Sequence, residues 1–325
     1  MIRSFVFNQG KLAGQDLDVD AQRLVLFDKG LHLWVDLEAP TEEETKKILE
    51  EVFAFHPLAI EDCLTVSERP KVDEYETYLF IVIHAVDYTR GTQEFQTTEL
   101  NIFMGKEFLV TFHRDPLRSV TATVDRVLKN SASIARAPDR LAHTILDSLF
   151  ENYRPVLDEL SAEIGELEEK VLVSASVDIL SDVLKVRTEV QSLRQIIVPQ
   201  RDIIARFARG ELSFIRAHLV PYYRDLYDQL ARINDLAEGY RESLNNVLQI
   251  HLNLQQTQVN QVIKVLTVLA TLARPIFIVT SFYGMNFGHF PKDMSPPRLA
   301  YAWVFGITGV ITGLLYWWIK RKKWL

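Results

Sequence analysis

Between Val259 and Pro291 the chain reads VNQVIKVLTVLATLARPIFIVTSFYGMNFGHFP. Most of its polar side chains are neutral hydroxyls and amides, beside Lys264, Arg274 and His289. At about 100° per residue, Asn260, Ile263, Thr267, Thr271, Arg274, Ile278, Ser281 and Met285 project within roughly one quarter of a helix circumference. Lipid would not reward such a face, because polar groups in a spanning helix normally point at a bundle interior or a water-filled cavity. The segment is long and apolar enough to cross a bilayer, which takes about 20 mostly apolar residues. Two readings of the stripe stay open: it lines a water-filled path, or its hydroxyls bond back to their own helix and it packs against another.

Other reactive types offer less. His56-Pro57-Leu58 followed by Glu61-Asp62 brings a histidine close to two carboxylates, but Pro57 holds His56 in an extended or turn conformation, and no second histidine stands four residues on. A structural role fits better than a metal site. Neither a Walker phosphate loop nor a nucleophile elbow occurs, so neither an ATP-driven pump nor any other enzyme is expected, and no cofactor. The net charge of -7 argues against nucleic acid as a partner, which needs clustered Lys and Arg. Cys63 is the sole cysteine, so no disulfide framework exists. MIRSFVFNQG lacks the apolar core of a signal peptide.

Stepping outward from the stripe, a second apolar segment, Leu299 to Ile319, has no charge in 21 residues. Gly306, Gly309 and Gly313 permit close helix approach, and Tyr316, Trp317 and Trp318 suit a membrane interface. The following Lys320 to Lys323 places the C-terminus in the cytoplasm by the positive-inside rule, and two spans place the N-terminal part there too. The membrane expected is the inner one. The first helix of the pair has no proline between Pro221 and Pro275, so one helix of about 90 Å is expected from Tyr222 to Phe282. Its amide-rich middle, from Asn245 to Gln261, suits bundling of several copies around a hydrated axis.

Residues 1–135 read as an α/β domain. Phe5–Phe7, Arg23–Phe27, Leu31–Leu37, Leu79–Val86, Leu100–Met104 and Phe108–His113 are strand-like, with Gly105 at a hairpin turn. Thr41 and Glu44 form a capping box for a helix to about Phe53, and another helix is expected from Arg118 to Lys129. Residues 136–221 read as a helical hairpin, its second helix running from Val177 to Ile197 and bounded by Pro199. Glu163, Glu166, Glu168 and Glu169 make an acidic face there, ordinarily a solvated one. The remainder divides into a stalk (222–258), a first span (259–283), an outer loop (284–298), a second span (299–319) and a basic tail (320–325).

Tyr283-Gly284-Met285-Asn286-Phe287 at the end of one span, a short loop, a second span and a terminal KRKKWL resemble CorA-type magnesium and cobalt channels. KVLTVLAT resembles that family's first transmembrane helix, and HPLAIED and RPKV resemble fold elements of its cytoplasmic domain. The resemblance implies an α+β cytoplasmic domain, a long helical stalk and two transmembrane helices in a funnel-shaped homopentamer, with self, lipid and divalent ions as partners. It implies that Tyr283, Gly284, Met285 and Asn286 form the selectivity element. It also implies that Asn260, Ile263, Leu266, Thr267, Thr271, Arg274, Ile278 and Ser281 line the pore, Ile263 and Leu266 as an apolar constriction. Acidic helices near the pore mouth, as in the family, concentrate cations. Mg²⁺ sheds its waters reluctantly, which suits neutral oxygens that bind the hydrated ion.

Three departures from the family pattern bear on the cargo. Arg274 stands where those channels carry an apolar residue, and a ring of arginines repels divalent cations unless each turns sideways onto a neighbouring helix. The loop GHFPKDMSPP offers His289 and Asp293 beside Lys292 in place of an acidic run, and a histidine at the mouth suits zinc better than magnesium. The positions aligned with one carboxylate pair of the family's metal sensor are Thr89 and Gln249, leaving Asp87 as a weak substitute. Zinc movement in either direction, and a membrane-anchored scaffold sealed by Arg274, therefore stand beside transport of Mg²⁺ or Co²⁺.

Overall fold

The run Leu79–Val86 holds one polar residue, His84, and a strand apolar on both faces must be covered on both. A computed structural model, describing residues 1–26, 28, 30–66, 69–89, 94–173, 177–284 and 297–322, meets this requirement. It divides into two compact units, Met1–Leu248 and Gln249–Leu325.

The first unit is built on strands β1 (Ile2–Asn8), β2 (Lys11–Gln15), β3 (Leu31–Glu38), β4 (Lys71–Glu74), β5 (Tyr78–Thr89), β6 (Glu94–Gly105) and β7 (Phe108–His113). They form one sheet in the order β2-β1-β3-β7-β6-β5-β4. Only the β3–β7 pairing is parallel, with Leu33 opposite Phe108 and Glu38 opposite His113. Because side chains alternate along a strand, Leu79, Ile81 and Ile83 enter one core with Phe5, Trp34, Ile102 and Leu109. Tyr78, Phe80 and Val82 enter the other with Val35, Phe103 and Val110.

The second face is covered by helices α1 (Val19–Leu26), α2 (Glu42–Thr45) continued by a π-helical stretch Lys46–Val52, and α3 (Pro57–Leu64). The capping box at α2 is present, with the Glu44 amide donating to Thr41 Oγ1 at 3.2 Å and the Thr41 amide to Glu44 Oε2 at 2.9 Å. The first face is covered by α4 (Arg118–Asn130), α5 (Pro138–Glu151), α6 (Tyr153–Val173) and α7 (Val177–Ala208). Gly105 closes the β6–β7 hairpin because any Cβ there would collide with the Phe108 ring.

Three expectations are corrected. Arg23–Leu26 is helical: Asp18 Oδ1 accepts the Ala21 amide at 2.8 Å, and Val19, Val25 and Leu26 pack on one core at helical spacing. Phe27 lies outside the described residues. The first helix of the expected hairpin is two, α5 and α6, broken at Asn152. The second continues through Pro199, because one lost backbone bond is outweighed where Ile203, Ile204 and Phe207 beyond it are buried in the core.

Helix α8 (Val220–Tyr283) contributes to both units, its 64 residues running uninterrupted through Pro275. Pro221 stands in its first turn, where the missing amide needs no partner. Helix α9 (Pro297–Arg321) completes the second unit.

Candidate ion path

On α8 the stripe is uncovered. Asn260, Ile263, Leu266, Thr267, Arg274, Ile278 and Ser281 are exposed and Thr271 is half-buried. The Thr267 hydroxyl donates to the Ile263 carbonyl and that of Thr271 to the Thr267 carbonyl, each at 2.7 Å. The Gln256 amide donates to Asn260 Oδ1 at 3.2 Å. This back-bonding is compatible with a path: a hydroxyl whose hydrogen is committed to its own helix presents only lone pairs outward, which are able to accept from water. Pro275 lacks the amide that would bond the Thr271 carbonyl, adding an acceptor at the same level.

Among the described residues Arg274 makes no ion pair and no side-chain hydrogen bond. The Gly284 amide donates to the Thr280 carbonyl at 2.9 Å and closes α8, directly after Tyr283. Met285, Asn286, His289 and Asp293 lie outside the described residues. Asp87 and Thr89 stand on β5, in register with Gln96 and Glu94, and Gln249 is exposed on α8.

The second unit carries much uncovered apolar surface. Trp303, Phe305, Val310 and Leu314 of α9 are each more than half exposed, as are Val262, Val265 and Leu269 of α8. A Cβ added at Gly306, Gly309 or Gly313 would meet nothing within 4 Å, so these small residues face outward from the single chain. Among the described residues two helices are long and apolar enough to cross a membrane, within Ala217–Phe282 and Ala302–Arg321.

In the first unit the motif residues are structural. His56 caps α3, its Nδ1 accepting the Leu58 amide at 3.2 Å. Lys71 of the RPKV segment pairs with Asp62 at 2.5 Å and with Asp73 at 3.0 Å, so the two motifs clasp one another. Glu166, Glu168 and Glu169 are exposed and Glu163 is half-buried. Burial raises the Glu163 carboxyl above its ordinary range, Lys185 opposes this, and Glu159 and Glu166 add to it. That combination is a solvated acidic face.

One cluster had no signal in the sequence, because sheet register assembles it. Arg3 of β1 lies opposite Asp36 of β3, which lies opposite Thr111 of β7. Asp36, Glu38 and His113 offer ligand atoms within 4.8 Å of one another. Arg3, however, already donates to Asp36 Oδ2 at 2.7 Å and to Glu38 at 3.1 Å, and Thr111 donates to Asp36 Oδ1 at 2.6 Å. Burial alone would raise the Asp36 carboxyl, but His113, Thr111 and Arg3 hold it below its ordinary range. A cation would have to displace the guanidinium, so the cluster is a satisfied internal salt network.

The sequence pattern of the CorA-like Mg2+ transporter protein family matches residues 30–321. The chain belongs to this family. CorA-family relatives include the cobalt/magnesium transport protein CorA of Thermotoga maritima, 29% identical over 305 residues, which cover 92% of this chain and 85% of the relative. The Bacillus subtilis protein YfjQ is 29% identical over 292 residues, 90% of this chain and 89% of its own. The fold matches the complete structure of the CorA magnesium transporter of Methanocaldococcus jannaschii with a TM-score of 0.80 at 23% identity, over 99% of this chain and 98% of that one. The CorA-type architecture of soluble α/β unit, long helix and two apolar helices thus extends along the chain.

Proposed function

We propose that the chain forms a homopentameric channel that moves a divalent cation, Mg²⁺ or Co²⁺, across the cytoplasmic membrane along the α8 stripe. The observation that carries this reading is the uncovered polar face of α8, flanked by exposed apolar surface, in a chain of this family. Copies packed around an axis would bury that face together, and their back-bonded hydroxyls would accept from a hydrated ion. Conduction requires such weak, repeated sites in place of a tight cage. Gly284, Met285 and Asn286 at the α8 terminus supply the selecting oxygens, with Tyr283 as support. Met285 and Asn286 enter this reading from the family motif. The first unit and both termini lie in the cytoplasm.

The test is uptake of Mg²⁺, Co²⁺ and Zn²⁺ into proteoliposomes of the purified protein, with and without an imposed membrane potential. Potential-driven Mg²⁺ or Co²⁺ flux that Asn286→Ala abolishes is the expected result. Zinc flux alone would transfer the assignment to zinc and to His289. Absence of flux from an intact pentamer would favour a non-conducting scaffold.

A further inference from the structure

A strongly basic concavity of the first unit lies outside the stripe. Arg187, Gln191, Arg194 and Gln195 follow one another along one face of α7, with Arg241 of α8 and Arg69, preceding β4, completing a cleft of about 490 Å³. No carboxylate among the described residues lines it. Glu238, which is not among the lining residues, pairs with Arg194 at 2.6 Å and with Arg241, so one carboxylate is shared by two guanidinium groups. Arg194 Nε is buried without a hydrogen-bond partner. Arg187 is exposed and makes no ion pair among the described residues. Pro199 on the same wall leaves the Gln195 carbonyl without its helical donor, so one acceptor stands beside the guanidinium groups.

An arginine fork matches phosphate oxygens with paired, charge-assisted hydrogen bonds. The volume falls in the range of small-molecule sites and exceeds what a lone phosphate fills. We propose that this cleft binds a polyphosphate anion of nucleotide size. The guanidinium groups take the phosphate oxygens, and the Gln195 carbonyl and the glutamine amides face the organic part. Because the charged lining groups are all cationic, the ligand is held in its metal-free form. If the chain transports Mg²⁺ as proposed above, the site reports scarcity of that ion, since metal-free polyphosphate accumulates when the divalent cation falls. Binding itself is independent of the transport reading.

The experiment is calorimetric titration of the detergent-solubilised full chain with inorganic tripolyphosphate and, separately, with ATP, in metal-free buffer and in excess Mg²⁺. Saturable binding of both at one per chain is expected, weakened about tenfold or more by Arg187→Gln and by Arg241→Gln, and weakened by Mg²⁺. Arg187→Gln leaves thermal unfolding unchanged, because among the described residues that side chain makes no ion pair and no hydrogen bond. The proposal is overturned by absence of saturable binding, by affinities that neither substitution alters, by a requirement for Mg²⁺, or by exclusion of ATP where tripolyphosphate binds. Dissociation of the oligomer by Arg187→Gln without any ligand binding would also overturn it, placing carboxylates of a second copy in the cleft.

Discussion

Arg274 and His143 are two residues whose chemistry runs against their surroundings. An arginine at membrane depth costs at least about 3 kcal/mol, yet Arg274 is exposed on the stripe with no ion pair among the described residues. In a conducting assembly its side chain must turn onto a neighbouring copy. Arg274→Met is then expected to keep flux within a few-fold of the parent while lowering the thermal stability of the oligomer in detergent. Flux in the variant from a silent parent would mean that the arginines seal the lumen. His143 is buried among the rings of Tyr222 and Tyr223, its Nε2 donating to the Tyr222 carbonyl at 3.3 Å. Burial, with a smaller push from Arg140, lowers its pKa from 6.5 to about 4. Its stabilising contribution is therefore complete above about pH 6.5 and is lost as pH falls through about 4. By linkage the loss reaches about 2 kcal/mol at pH 5. Denaturant titrations at pH 7 and pH 5 check this: His143→Gln should show a smaller drop between the two than the parent does.

At the scale of elements, α6 and α7 share an apolar core with the sheet, and one polar triangle adds to that attachment. Strand β4 pairs with β5 only as far as Lys71 opposite Val82, so the backbone of His84 lies beyond its reach. The Tyr153 hydroxyl donates to the His84 carbonyl at 2.7 Å, Gln200 Nε2 donates to that hydroxyl at 2.7 Å, and the His84 amide donates to Gln200 Oε1 at 3.2 Å. Tyr153 and Gln200 are both fully buried. Tyr153→Phe removes the centre of the triangle and leaves a buried carbonyl and a buried amide unpaired, a cost of about 1–3 kcal/mol. Chemical denaturation should show that loss, and a midpoint equal to the parent's would mean that water restores the bonds. The triangle also accounts for the persistence of α7 past Pro199, because ending the helix there would withdraw Gln200 from the sheet.

For the whole molecule, the exposed apolar faces of α8 and α9 and the uncovered stripe between Asn260 and Ser281 are the surfaces that the proposed channel would cover with lipid and with further copies of the chain. The expected assembly is a pentamer, and native mass spectrometry or light scattering of the detergent complex checks the number. A monomer would leave the stripe facing lipid and would end the proposal of a central path. Arg274→Met and Asn286→Ala should assemble to the same size as the parent, which separates loss of flux from loss of assembly.

Everything carried by local pattern could be read from the order of residues alone. The two apolar helices, the unbroken α8, the Thr41 capping box, the Gly105 hairpin and the family motif follow from composition, periodicity and short-range sterics. The helical state of Arg23–Leu26 was missed because the four-residue apolar run Leu24–Phe27 fits both periods, and only the core beneath Val19, Val25 and Leu26 decides between them. Termination at Pro199 was a sound local inference that buried contacts further along the helix override. The network of Arg3, Asp36 and His113 and the arginine cleft on α7 and α8 had no local signature. Their members are far apart in the chain, and only sheet register and helix packing bring like and unlike charges into one place.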